Sequence, residues 1–128
     1  LFRQILFIIL CNSVEACRDE GAITIQMQRL PRQTALSKYG DRVMLSINET
    51  VVETAISDNG CGIDQEHMDR LFAPFFTTKR EGNGLGLAVA WKIMKAHGGE
   101  IFVENNTDTK GATFYLLMPV PINGGCME

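Results

Sequence analysis

The feature that most constrains this sequence is the way its hydrophobic period changes along the chain. Ala22–Gln28 alternates residue by residue, with Ile23, Ile25 and Met27 on one face and Thr24, Gln26 and Gln28 on the other. Such alternation predicts a strand in a sheet that is wetted on one side, the habit of antiparallel sheets. Arg42–Asn48 repeats the pattern with Val43, Leu45 and Ile47 inward, and Val51–Ser57 does so with Val52, Thr54 and Ile56 on one face. Asn48-Glu49-Thr50 turns the chain between those two, and Glu100–Glu104 and Ala112–Met118 bring the expectation to about five strands. Elsewhere the period lengthens. Residues 2–18 carry Ile5, Ile8, Ile9, Asn12 and Ala16 at the spacing of a buried helical stripe, which Gly21 ends. A short helix is predicted around Gln65–Leu71. A longer one spans Gly84–His97, with Leu85, Val89 and Ile93 four apart, cations in its last turns and Gly98 as terminator. Pro31–Asp41 reads as a polar loop, and the chain from Pro119 onward reads as loose. Three helices are too few to cover both faces of such a sheet. The expected fold is α/β, a two-layer sandwich of a mixed, mostly antiparallel sheet on three helices. Residues 1–120 form one domain and 121–128 a C-terminal tail.

Composition narrows the function classes. At 45% hydrophobic and 21% charged, 128 residues support one core and argue against a disordered chain. Twelve Lys+Arg against 15 Asp+Glu leave a net charge of −3, which offers no basic surface for wrapping nucleic acid. Cys11, Cys17, Cys61 and Cys126 form neither a C-x-x-C pair nor a zinc spacing, so reduced thiols in a cytosolic protein are expected. Arg3 followed by the apolar run Ile5–Cys11 has some of the look of a signal peptide. That run is far short of the roughly 20 residues of a membrane span. It also continues unbroken into Asn12–Glu20, so a buried helix is expected. The chain opens on Leu1 rather than Met and is expected to be a fragment.

Three features carry chemistry. Gly82-Asn83-Gly84-Leu85-Gly86-Leu87 lies where a long helix begins. Its glycines let the backbone approach an anion, and the helix start offers free N–H groups. The same glycines would also permit tight helix–sheet packing. A Rossmann fingerprint fits poorly, for want of a preceding strand and a correctly spaced third glycine, and no Gly-Lys-Ser/Thr makes it a P-loop. Asp58 shares the strand parity of Val52, Thr54 and Ile56, so its carboxylate faces the core, where it needs hydrogen-bond partners. Gly60 and Gly62 then clear space for a flat ligand, although Asp-Asn-Gly also serves as a plain turn. Asn12 stands on the apolar stripe, satisfied by backbone or bound to something else.

Taken in order, these segments resemble the Bergerat-type ATPases, a group that includes histidine kinases, heat-shock chaperones, type II topoisomerases and mismatch-repair ATPases. Gln4–Ala16 is similar to a kinase N-box, and Asp58-Asn59-Gly60-Cys61-Gly62-Ile63 to a G1 box. Leu71–Lys79 resembles an F-box and Gly82–Leu87 a G2 box, with His97-Gly98-Gly99-Glu100-Ile101 and Gly111-Ala112-Thr113-Phe114 completing the pattern. The likeness runs from Phe2 to Pro119 and is narrowest to the catalytic domain of two-component sensor histidine kinases.

The resemblance implies Mg-ATP as cofactor. Asp58 would accept from the adenine amino group, assisted through water by Gly62 and Thr113. Asn12 would hold the magnesium, an oxygen ligand for a hard cation. Gly84, Leu85, Gly86 and Leu87 would offer N–H groups to the phosphates, and residues 73–83 would form a lid with Lys79 on the phosphates. Ala16, Gly60 and Ile63 fall inside the matching boxes and complete the implied set. No residue of this chain is assigned with certainty to catalysis; Asn12 and Lys79 would support it. Two positions depart from the usual pattern. Ile8 stands where many members are polar, and Glu15 where many carry Lys or Arg. Weight therefore shifts to Asn12, Lys79 and the glycines.

The phosphoacceptor is missing. Only His67 and His97 occur; His97 reads as a helix cap and His67 as a surface residue. The acceptor would lie on the dimerisation helices of the parent protein, and a response-regulator receiver domain would be the next partner. The domain is expected to be a cytoplasmic monomer with no nucleic-acid or membrane contact, an expectation compatible with a membrane-anchored parent protein. An anti-sigma-factor serine kinase and a non-catalytic nucleotide-sensing module are the alternatives.

Overall fold

A computed structural model describes residues 2–17, 20–40, 49–74 and 86–121. The elements are α1 (Phe2–Cys17), β1 (Ile23–Leu30), α2 (Arg32–Tyr39), β2 (Glu49–Asp58), α3 (Gln65–Met68), α4 (Gly86–Ala96), β3 (Glu100–Asn105) and β4 (Ala112–Pro121). The four described strands form one sheet in the order β1-β2-β4-β3. Every pairing among them is antiparallel. The strand expected over 42–48 lies outside the described residues.

Strand parity builds the main core. Ile56, Phe114, Leu116 and Ile101 point to one face and pack under Ile5 and Ile9 of α1 and Ala90 and Met94 of α4. Burying a side chain of this size contributes about 1.5–3 kcal/mol. The stripe read from the sequence is therefore the stripe that docks. Helix α4 ends as expected: Gly99 N–H donates to the Met94 carbonyl at 2.8 Å, and His97 Nδ1 lies 2.8 Å from the Ile93 carbonyl.

Four expectations change. The segment from Pro31 is not a loop but contains α2, whose Ala35 and Tyr39 bury against Leu30, Val51 and Leu117 on the opposite sheet face. With so few apolar residues, its helical period was nearly invisible, and a second small core exists where a wetted face was expected. Glu49 and Thr50 belong to β2 rather than to a turn, because they pair with Pro121 and Val120. For the same reason residues 119–121 are not loose. Strand β3 pairs only as far as Leu117, so Pro119 occupies a stretch with a partner on one side, where a strand tolerates proline. Finally, Ile25 and Met27 have the expected parity but remain 49% and 56% exposed, since β1 is an edge of the described sheet.

Candidate functional site

The cavity that gathers the expected residues has a volume of about 300 Å³ and opens between α1 and the C-terminal end of β2. Asn12 and Ala16 line it from α1, Asp58, Gly62 and Ile63 from the end of β2 and the loop after it, and Leu87 from α4. These six positions come from three segments far apart in sequence, and packing α1 and α4 on one sheet face is what brings them together.

Asp58 is 5% exposed, and its environment explains how a carboxylate survives there. One oxygen, Oδ1, accepts the Gly60 N–H at 2.9 Å and the Ala112 N–H at 3.2 Å. Two backbone donors on one oxygen compensate the buried charge and fix its rotamer. Among the described residues no bond engages Oδ2, which remains for a ligand donor. Two glycines make this packing possible. A Cβ on Gly60 would stand 2.5 Å from the Ala16 carbonyl oxygen, and one on Gly111 (φ 103°) would collide with the Asp58 carbonyl.

Asn12 is half-buried, and its Nδ2 donates to the Ile8 carbonyl at 3.0 Å, one turn back on α1. That bond uses the donor end of the amide and leaves Oδ1 as an acceptor. Asn12 and Glu15 line the same cavity, and amide and carboxylate oxygens are the ligand types that suit a hard divalent cation. Another group with ligating atoms within 4.8 Å of one another, Asp64, Glu66 and His67, lies at the start of α3, and none of the three lines the cavity. His67 is half-buried rather than superficial, its ring nitrogens 3.9 Å from Asp64 Oδ2 and 3.8 Å from Glu66 Oε1.

Other expected positions fare differently. Gly86 opens α4 near Ile8 of α1 but does not line the cavity. Lys79, Gly84 and Leu85 lie outside the described residues, as does the expected lid from Phe75 onward. Thr113 is on the wrong face. It pairs with Ser57, one residue out of phase with Asp58, and its hydroxyl meets Ser57 Oγ at 2.9 Å and Asn106 Oδ1 at 2.6 Å. Its neighbours Ala112 and Phe114 line the cavity instead. Counting parity along β4 from Asp58 would have found both. Cys61 and Leu71 also line the cavity without any signal beyond their place in the matching boxes.

A second polar cluster sits on the opposite sheet face. Glu53, buried on β2, accepts from Gln28 Nε2 and Lys38 Nζ, each at 2.8 Å, and from the Tyr39 hydroxyl. Burial alone would raise its carboxyl, but the bonds from Lys38, Tyr39 and Gln28 outweigh it and hold the group below its usual range. Burial and the same contact push the Tyr39 phenol well up. This cluster anchors α2 and is separated from the cavity by the sheet.

Comparison with known proteins agrees with the geometry. The family described as histidine kinase-, DNA gyrase B-, and HSP90-like ATPase matches residues 1–122. The signal transduction histidine-protein kinase AtoS of Escherichia coli (strain K12) is 40% identical over 125 residues, which is 97% of this chain and 17% of AtoS. The sensor histidine kinase ZraS of the same organism is 36% identical over 119 residues, 93% of this chain and 22% of ZraS. The chain thus spans about a fifth of the length of these relatives. Among solved structures, the nucleotide-free catalytic domain of the histidine kinase ThkA superposes with a TM-score of 0.68 at 29% identity, covering 92% of this chain and 65% of that one. ThkA in complex with the response regulator protein TrrA gives 0.63 at 27% identity, over 92% of this chain and 28% of that one.

Proposed function

The chain belongs to the histidine kinase-, DNA gyrase B- and HSP90-like ATPase family, and from that premise we propose that it is the catalytic domain of a sensor histidine kinase, which holds Mg-ATP and donates the γ-phosphate to a histidine on a separate dimerisation domain. The observation that carries this reading is Asp58, one oxygen pinned by two backbone N–H groups and the other available at a cavity wall. Bound ATP supplies the phosphoryl group, whose bond to ADP breaks as a phosphorus–nitrogen bond forms on the acceptor imidazole. The work of the chain is positioning and charge neutralisation, as in phosphoryl transfer generally. Asp58 would accept the adenine amino group, Asn12 Oδ1 would hold a divalent cation that neutralises phosphate charge, and the N–H groups at the start of α4 would donate to the phosphates. Gly84, Leu85 and Lys79 are proposed to extend that contact. A negative Glu15 beside a polyphosphate makes the cation more necessary, since it screens the two charges.

The partners on this reading are the histidine-bearing helices of the parent protein and a receiver domain, in keeping with the complex that ThkA forms with TrrA. Among the described residues no helix is long and apolar enough to cross a membrane. We place the domain on the cytoplasmic side, where ATP is available.

The test is phosphate labelling. In-line attack needs an approach of about 3–3.5 Å. His97 follows the 11 residues of α4, whose length of about 16 Å separates it from the phosphate end. Incubated with γ-labelled ATP, the chain alone should bind nucleotide and stay unlabelled, and histidine-bearing helices added as a separate fragment should acquire acid-labile label. Labelling of the isolated chain that disappears on changing His67 or His97 would overturn the reading.

A further inference from the structure

Two adjacent asparagines at the end of β3 act on the cavity from outside it. Asn105 Oδ1 accepts the Ile63 N–H at 2.8 Å, and Asn105 Nδ2 donates to the Ile63 carbonyl at 2.8 Å. One carboxamide therefore takes both main-chain groups of a single cavity-lining residue. Asn106 Nδ2 donates to the Asp58 and Lys110 carbonyls, each at 3.0 Å, and its Oδ1 accepts the Thr113 hydroxyl at 2.6 Å. The segment so held, residues 59–64, belongs to no helix or strand. It is clamped at its Asp58 end by Asn106 and near its α3 end by Asn105. Only an amide offers a donor and an acceptor side by side in this way. A carboxylate would accept from the Ile63 N–H but set its other oxygen against the Ile63 carbonyl.

The chemistry of the two purines gives this clamp a consequence. Adenine offers a single exocyclic amine to Asp58. Guanine presents a carbonyl oxygen at that place, which a carboxylate rejects. If guanine shifts along the cavity, however, its ring N–H or its amino group can donate to the open Oδ2. Preventing that shift requires a wall that does not yield. Gly62 and Ile63 belong to the cavity lining on the loop that follows Asp58.

We propose that Asn105 is a positioning residue for base selectivity: by clasping the main chain of Ile63 it fixes the Gly62–Ile63 wall relative to Asp58 and so excludes guanine nucleotides. This rests on the nucleotide reading above.

The test measures ADP and GDP binding by calorimetry, without magnesium, for the unmodified chain, Asn105→Ala, Asn105→Gln and Asp58→Ala, with a thermal melt of each. Asn105→Ala should weaken ADP severalfold, because a wall that must be ordered on binding costs affinity, while GDP binding holds or improves, so the ADP:GDP preference contracts. Asn105→Gln, which keeps both amide functions, should restore part of the preference. A merely structural role would lower the melting temperature and leave the ratio alone. An unchanged ADP:GDP ratio in folded Asn105→Ala overturns the proposal. Where that variant is too unstable to read, Asn105→Asp keeps the Ile63 N–H bond and should show a smaller contraction; an unchanged ratio there counts equally against it. Absence of ADP binding by the unmodified, folded chain would overturn the nucleotide reading itself, and ADP binding that survives Asp58→Ala would remove Asp58 from the base site; both outcomes are distinct from an unchanged ratio in the Asn105 variants.

Discussion

Replacing Asp58 by asparagine separates recognition from folding more cleanly than replacing it by alanine. The side-chain oxygen that accepts from Gly60 and Ala112 at 2.9 Å and 3.2 Å persists in Asp58→Asn, so both backbone donors keep a partner. Asp58→Ala would orphan two buried N–H groups at about 1–3 kcal/mol each, and lost stability would obscure lost binding. In the asparagine variant the change falls on Oδ2, which becomes an NH₂. A donor then faces the adenine amino group, itself a donor, in a cavity wall where Asp58 is only 5% exposed. A hydrogen bond to a charged group is worth about 1.5–3 kcal/mol, which corresponds to a roughly ten- to hundredfold loss of ADP affinity. Titration calorimetry of ADP into each protein, with denaturant unfolding run in parallel, reads both quantities. The expected pattern is a large loss of affinity with little change in stability. ADP affinity within about twofold of the unmodified chain, in a variant that unfolds normally, would remove Asp58 from the base site.

Asn12→Ala should abolish most of the gain in ADP affinity conferred by magnesium while leaving magnesium-free binding nearly unchanged, which paired calorimetric titrations will show; an undiminished magnesium effect would take the cation elsewhere. Glu53 is held below its usual range in the folded state, so its contribution to stability is present above about pH 4.3 and is lost as pH falls through the lower folded value. Tyr39 is shifted the other way, and its contribution is present below about pH 10 and lost above it. Denaturant unfolding across pH should show both flanks, and Glu53→Gln should flatten the acid one.

How much of this was legible in the sequence follows from periodicity. Asp58 was readable because Val52, Thr54 and Ile56 establish its face unambiguously, and Asn12 because it interrupts a clear stripe. Thr113 differs, because the likeness of Gly111–Phe114 carries no parity and the Ser57 pairing turns its side chain to the face opposite Asp58. Helix α2 was hidden because Ala35, Leu36 and Tyr39 are too few to announce a period, and its burial depends on Leu30, Val51 and Leu117 arriving from elsewhere. Asn105 and Asn106 carried no signal at all. The bonds that hold Ile63 and Asp58 go to main-chain atoms more than 40 residues away, and a main-chain partner leaves no mark on the residue types.

Strand β2 holds two buried carboxylates, Asp58 and Glu53, five residues apart and hence on opposite faces. An odd separation makes the strand intolerant of deletion or insertion between them. Losing one residue there would turn Glu53 towards the apolar cluster of Ile5, Ile9 and Met94, or turn Asp58 away from the Ala112 N–H. Either error strands an ion in an apolar setting at a cost of several kcal/mol. The same penalty falls on any pairing of β1 with β2 that zips one step out of place during folding, so the two acids act as a built-in proofreader of strand alignment, one facing the cavity and the other the Lys38 and Tyr39 cluster.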